Sequence, residues 1–255
     1  ELKAEGAQAL IVDLRGNGGG HLTEATALSG LFIPQGPIVQ LRETGGRVEV
    51  LDDPEQGVAW EGPLVVLVDR FSASASEIFA AAIQDYGRGI VVGQQTFGKG
   101  SVQNLYPLDR YALGSDPGFG QLTVTIGKYY RVTGESTQHR GVQPDIAMPT
   151  AISTEEVGES TRESALPWDR IRPVDFGKES AVSQAVAGLA QAHEERVASD
   201  PDFKSLLADL DAFDKVRTQT KLSLNLQTRI AERERLEKER LDRENQRRAA
   251  RGEPP

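Results

Sequence analysis

The chain has 255 residues, 38% of them hydrophobic and 26% charged, enough for one large or two smaller domains with their own cores. A formal net charge of −9 argues against a nucleic-acid-binding surface over most of the molecule, and the lack of cysteine excludes disulfides, thiolate metal sites and a cysteine nucleophile. No apolar run approaches the ~18 residues of a transmembrane segment.

The chain opens at Glu1, not Met, and enters a strand almost at once. We read it as a truncated or processed piece, so the missing signal peptide says nothing about export. "ALIVDL", Ala9 to Leu14, suits a buried strand and ends in the glycine-dense "RGNGGG". "TEATALSGLF" has helical spacing. "GPIVQLRETGGRVEVL" predicts a hairpin turning at Gly45-Gly46. "GPLVVLVD", Gly62 to Asp69, is the strongest buried-strand signal. "SEIFAAAIQDYG", Ser76 to Gly87, predicts a helix with a glycine stop. "GIVVG" is a further buried strand, "SVQNLYPL" is extended, and Gln121 to Val132 alternates as a strand does. Strand, helix, strand in this order predicts a right-handed β-α-β crossover in an α/β core, 1–149, that closes near Pro149.

Residues 150–180 turn to Ser, Thr and Glu with few apolar side chains, a linker-like composition. Beyond it, 181–255 predicts a polar helical region with a charged tail. Residues 229–251 hold nine basic and six acidic side chains, a net +3, with Ile230, Leu236 and Leu241 as the only large apolar residues. Coiled coils need sustained apolar a/d positions, so the tail reads as a solvated helix; an RNA- or adaptor-binding arm is the alternative.

Three stretches could carry chemistry. "GQQTFGKGS", Gly93 to Ser101, is close to a phosphate-binding P-loop, but Gly100 stands where the motif needs a hydroxyl. The residues after Lys99 also form a poor helix, and the helix N-terminus is what holds the phosphate. In "RGNGGG" the spacing of Gly16, Gly18 and Gly20 is G-x-G-x-G, which misses the dinucleotide fingerprint. A tight turn or an anion-binding nest of backbone N–H groups fits equally well. In "FSASASEIFAAAIQD", Ser72, Ser74 and Ser76 lie between a buried strand and a helix. Ser74 to Glu77 fits a capping box, which explains the serine without catalysis. The other reading is an elbow presenting a nucleophile at a helix N-terminus, where developing negative charge is favoured.

A serine nucleophile needs a base. None of His21, His139 and His193 lies in a recognisable catalytic context. Lys99, between two glycines, is the other option. A lysine base must be neutral, whereas a solvated lysine titrates near ~10.4, so such a base needs a shift of about 3 units. Burial among apolar strands can supply it.

"ALIVDLRGNGGG", "VLVDRFSASASEIFAAAIQDYG", "VVGQQTFGKGSVQ" and "STQHRGVQPDI" together resemble the successive blocks of the C-terminal processing peptidases, or tail-specific proteases. The resemblance covers Ala9 to Pro149 and continues through "ALPWD". It implies a crotonase-like (Clp-protease-like) α/β core and a Ser–Lys serine endopeptidase. By position, Ser74 corresponds to the nucleophile, Lys99 to the general base and Gln103 to the residue that orients the lysine. In an extended segment 99, 101 and 103 face one way, so Gln103 can lie beside Lys99. The resemblance puts the oxyanion hole at the backbone N–H groups of Ala75 and Gly20, with Gly19 the second choice for the glycine. It leaves Asp85 as a structural acid near the helix end.

Cofactors and metals are not implied. The implied partners are unfolded or C-terminally tagged proteins with apolar ends, bound as an added strand. An adaptor protein and peripheral membrane association are compatible with this. The resemblance to bacterial periplasmic members implies a periplasmic location. Family members carry a PDZ domain and helical segments before the first block, where this chain has eight residues. A non-catalytic scaffold or pseudoprotease fragment, and a P-loop NTPase built on Lys99, are the competing functions.

Overall fold

A computed structural model describes residues 2–53, 57–111, 118–178 and 180–254. The chain divides into two compact units, 1–148 with 152–186, and 149–151 with 187–255.

The first unit holds two four-stranded sheets. One is parallel, in the order β1 (Leu10–Asp13), β4 (Leu64–Val68), β5 (Ile90–Gly93) and β8 (Ile146–Ala147). The other is antiparallel, in the order β3 (Val48–Asp52), β2 (Pro37–Glu43), β7 (Gln121–Tyr130) and β6 (Ser101–Pro107). The β2–β3 hairpin turns at Gly46, whose φ of 83° suits glycine. Helix α1 is Leu22–Gly30 and α2 is Ala75–Tyr86.

Helix α2 is the centre of the unit. It touches α1, β5 of the parallel sheet and β2 of the antiparallel one. Ile78, Phe79, the three alanines 80–82 and Ile83 are all buried, so the helix is covered nearly all round. Small alanines let strands approach closely, while Phe79 meets Phe32 edge-on at 5.7 Å between ring centres. Gly87 ends the helix in a left-handed conformation, its N–H turned back to the Gln84 carbonyl. Burial of α2 fixes its N-terminus, and with it Ser74.

The segment expected to be linker-like, 150–180, is instead strapped onto the first unit from residue 152 onward, so the core does not close at Pro149. The straps are polar. Arg70 is buried, and its guanidinium donates to the carbonyls of Thr96, Val157 (2.6 Å) and Thr154 (3.4 Å). Glu159 N–H donates to the Phe97 carbonyl at 3.0 Å. Asp169 accepts from Arg42, Lys128 and the Tyr130 hydroxyl. Trp168 donates its indole N–H to the Ser136 carbonyl and lies under Arg140, 3.6 Å from cation carbon to ring centre. A segment poor in apolar residues reads as a linker because composition registers hydrophobic burial and not buried cations seeking carbonyls.

In the second unit α4 (Pro201–Arg217) starts on an Asp200 cap with Pro201 in its first turn, and α5 (Leu226–Arg251) runs from an Asn225 cap to a left-handed Gly252. Neither helix has a buried residue among those described. Helix α5 carries i,i+3 and i,i+4 ion pairs such as Arg235–Glu239 and Arg247–Glu244. The expected solvated helix is also tied to α4 through Arg243–Asp209 and Arg251–Asp202. Helix α3 is Ser180–Ser199.

Asp85, in the last turn of α2, pairs with Arg131, whose Nε lies 3.0 Å from Oδ2 and whose Nη2 lies 2.5 Å from Oδ1. The carboxylate side chain is 6% exposed. Removing one partner of a buried pair strands the other charge. Arg131→Met is therefore expected to cost about 3–5 kcal/mol in urea denaturation, and substituting both partners by apolar residues to cost much less.

Candidate active site

The elbow between β4 and α2 is built from Asp69. Its carboxylate accepts from the N–H groups of Gly16 (2.9 Å), Phe71 (2.9 Å) and Ser72 (3.1 Å), which folds the chain sharply and ties the glycine loop to the turn. The three serines then separate by role. Ser72 is buried and donates to the Leu14 carbonyl at 2.8 Å. Ser76 donates to the Asn17 carbonyl at 3.1 Å. Both hold the turn against the glycine loop. Ser74 stands at the tip with φ 57° and ψ −117°, a strained position for a residue with a side chain. It directly precedes the first residue of α2, so the helix dipole points at it.

Lys99 lies on the segment 94–100 between β5 and β6, and its side chain is half-buried. The flanking glycines are required by packing. A Cβ at Gly98 would fall 2.8 Å from the His139 backbone, and one at Gly100 would fall 2.8 Å from Gln138 N. Among the described residues no hydrogen bond joins Lys99 Nζ to Ser74 Oγ.

The backbones of Ser74 and Lys99 are nonetheless bonded to common partners. Glu77 Oε2 accepts from Ser74 N–H and from Lys99 N–H, both at 2.9 Å. Its other oxygen, Oε1, accepts from Gly98 N–H at 2.7 Å and the Thr96 hydroxyl at 2.5 Å. Glu77 is fully buried, and burial pushes its carboxyl up to about 7 against the pull of these four donors. Tyr129, buried on β7, places its hydroxyl 3.1 Å from the Ser74 carbonyl oxygen and 2.5 Å from the Lys99 carbonyl oxygen. The sequence reading assigned Glu77 only to a capping box and did not single out Tyr129. The box motif was the one available signal for Glu77.

The glycine loop lies against the elbow. A Cβ at Gly19 would meet Ala75 N and Ser74 Cβ, both at 2.8 Å, and φ there is +96°. Gly19 N–H is taken by the Asn17 side chain at 2.9 Å. Among the described residues neither Gly20 N–H nor Ala75 N–H has an acceptor. Gly19 is thus the close-approach glycine, and Gly20 and Ala75 carry the free donors. A cavity of about 150 Å³ opens beside them, walled by Leu14, Ala25, Leu28 and Phe79, with His21 and Glu24 also on its wall.

Other expected features fall differently. Gln103 is exposed, and its side-chain amide donates to Thr125 Oγ1 at 3.5 Å; among the described residues no hydrogen bond joins it to Lys99. Lys99 precedes β6, which begins at Ser101, so the strand alternation on which the expectation rested does not extend to it; the register shift opposite Val102 and Gln103 falls at Ile126 of β7. Asp85 belongs to the ion pair with Arg131. A strand, β6, follows Lys99 where a P-loop needs a helix. Among the described residues no histidine ring is hydrogen-bonded to Ser74. Among the described residues no group of three or more metal-ligating side chains is placed to hold an ion, and no helix is long and apolar enough to cross a membrane.

Comparison with known proteins adds the following. Residues 1–148 match the model of peptidase family S41, and residues 152–255 match the C-terminal domain of tail-specific protease. The chain is 46% identical to the tail-specific protease of Haemophilus influenzae over 97% of its own length and 36% of the relative's. It is 30% identical to a carboxy-terminal processing protease of Bacillus subtilis over 91% of its length and 48% of that protein's. Among solved structures, a photosystem II D1 C-terminal processing protease matches 60% of this chain and 38% of its own, at 30% identity and a TM-score of 0.50. The chain therefore spans between about a third and a half of the length of these relatives.

Glu77 gives this site a pH signature. Its folded value of about 7 lies above the ordinary 4.5, so the folded chain holds that proton more tightly than the unfolded chain. Its contribution to stability is present below pH 4.5 and is lost as pH rises through 7, about 3 kcal/mol over the window. Urea denaturation of wild type and Glu77→Gln should show their stability gap narrowing by that amount between pH 4.5 and 7. A gap constant with pH would mean that Glu77 does not titrate in this range.

Proposed function

The chain belongs to peptidase family S41, and from that premise we propose that it carries a Ser74–Lys99 dyad acting as a serine endopeptidase on unfolded or C-terminally tagged proteins. The observation that carries this reading is the shared bonding of the two backbones. Glu77 Oε2 takes both N–H groups and the Tyr129 hydroxyl faces both carbonyls, which holds a strained serine and a lysine 25 residues apart in one assembly.

Chemically, neutral Lys99 Nζ takes the proton of Ser74 Oγ as the oxygen attacks the substrate carbonyl carbon. The N–H groups of Gly20 and Ala75 receive the oxyanion, each such donor contributing about 2.7–4 kcal/mol. When the C–N bond breaks, the Lys99 ammonium returns its proton to the leaving amine. Water then attacks the acyl ester with Lys99 again as base, and the acid leaves Ser74. The 150 Å³ cavity beside the oxyanion donors is apolar enough to take a small aliphatic side chain, which agrees with apolar substrate ends. Gln103 would have to release Thr125 before it could orient Lys99. Location in the periplasm and use of an adaptor rest on the likeness to tail-specific proteases alone.

The test is cleavage of an unfolded protein with an apolar C-terminus by the complete polypeptide. Ser74→Ala and Lys99→Ala should each reduce kcat by at least about 10³-fold, and wild-type activity should rise with pH as the base loses its proton. Full activity in Lys99→Ala would overturn the dyad. Gly19→Ala puts a methyl group against the Ala75 N–H, one of the proposed oxyanion donors, so it should lower kcat by about 10²-fold or more.

A further inference from the structure

The proposed chemistry uses no group on β7, yet β7 places one buried side chain against both reacting residues. Tyr129 is 2% exposed. Its backbone N–H donates to the Gly100 carbonyl at 2.9 Å, so β7 already grips the chain one residue past Lys99. Its hydroxyl then reaches the Lys99 and Ser74 carbonyl oxygens. Among the described residues no other side chain bonds to the carbonyls of both. The ring alone could have filled this space as phenylalanine. A phenol has one proton, and here both carbonyl oxygens lie within its reach.

We propose that Tyr129 is a positioning residue for the peptidase reaction, its hydroxyl setting the separation of Ser74 from Lys99. The inference rests on the Ser74–Lys99 reading. Glu77 gathers the two N–H groups on one side and Tyr129 gathers the two carbonyls on the other, so the peptide planes of both residues are fixed in orientation as well as distance. Removing the hydroxyl takes from the half-buried Lys99 carbonyl its donor among the described residues, while the Ser74 carbonyl keeps the Glu77 and Ile78 N–H groups, and it frees segment 98–100 to shift. Small displacements of reacting groups are expensive, and about 1 Å can cost 10²-fold in rate. Burial also holds the phenol well above its usual range, so it remains a donor throughout the working pH.

The experiment compares wild type, Tyr129→Phe and a Tyr129→4-aminophenylalanine variant in the complete polypeptide. The last keeps the ring and restores an N–H donor at the same place. Tyr129→Phe should lower kcat by about 10²-fold with KM within about twofold, and it should displace the pH at which activity is half-maximal. The 4-amino variant should recover most of the loss. All three should remain folded by circular dichroism, because the ring volume is kept. Equal activity in Tyr129→Phe and wild type would overturn the proposal, as would failure of the 4-amino variant to recover activity. Ser74→Ala serves as the parallel control. If it is inactive while Tyr129→Phe is fully active, only the role of Tyr129 falls; if Ser74→Ala retains activity, the dyad reading itself fails.

Discussion

One oxygen of a buried carboxylate accepts the backbone N–H groups of Ser74 and Lys99, and the geometry of the candidate site follows from that convergence. A carboxylate without water must be served by donors, and Glu77 draws four of them from two separate stretches of chain. The elbow before α2 and the loop before β6 are thereby bonded to the same group. Placing Glu77 in the core costs desolvation, visible in its raised carboxyl pKa, and the four donors offset only part of that cost. A flexible surface contact could not hold a φ of 57° at Ser74; a buried, four-fold bonded group can.

The same logic explains where side chains are missing. The elbow, the glycine loop and segment 98–100 all approach within van der Waals contact of another backbone. At Gly19, Gly98 and Gly100 a methyl group would lie 2.5–2.8 Å from neighbouring backbone atoms. At Gly19 a methyl group would take the space beside Ala75 N, so the bare position both closes the packing and leaves that nitrogen uncovered from this side. Glycine content in "RGNGGG" thus has different causes at adjacent positions. Gly19 is needed for approach, whereas a side chain at Gly20 would meet open space.

Much of the fold was legible because it is written locally. Alternation in Gln121–Val132, the continuous apolar runs of β4 and β5, and the glycine stop after α2 each fall where a short-range pattern put them. The two compact sheets themselves need only those strands and their turns. The less legible parts depend on partners far away in sequence. Glu77 looks like a local cap, but its second function reaches across 22 residues to Lys99. Tyr129 reads as one more member of an alternating strand, although its hydroxyl acts across 55 and 30 residues. At Gln103, period-two reasoning assumes a strand that reaches back to Lys99, and β6 begins only at Ser101.

The strap from residue 152 shows why a family boundary need not be a packing boundary. The family matches divide the chain between 148 and 152, while the contacts of the first unit continue to 186. Arg70 supplies the physical reason. Its guanidinium is buried beside the loop that carries Lys99, and it is solvated by carbonyls from both sides of that division, Thr96 on one and Thr154 and Val157 on the other. Burial lowers the Arg70 pKa, and the charge of Glu77 opposes that shift. A chain ending at 148 would leave Arg70 without two of its three carbonyl acceptors and with a charge in the core next to Thr96, whose hydroxyl is one of the four donors to Glu77. The order of the loop that carries Lys99 therefore depends on residues that the family division assigns to the following domain.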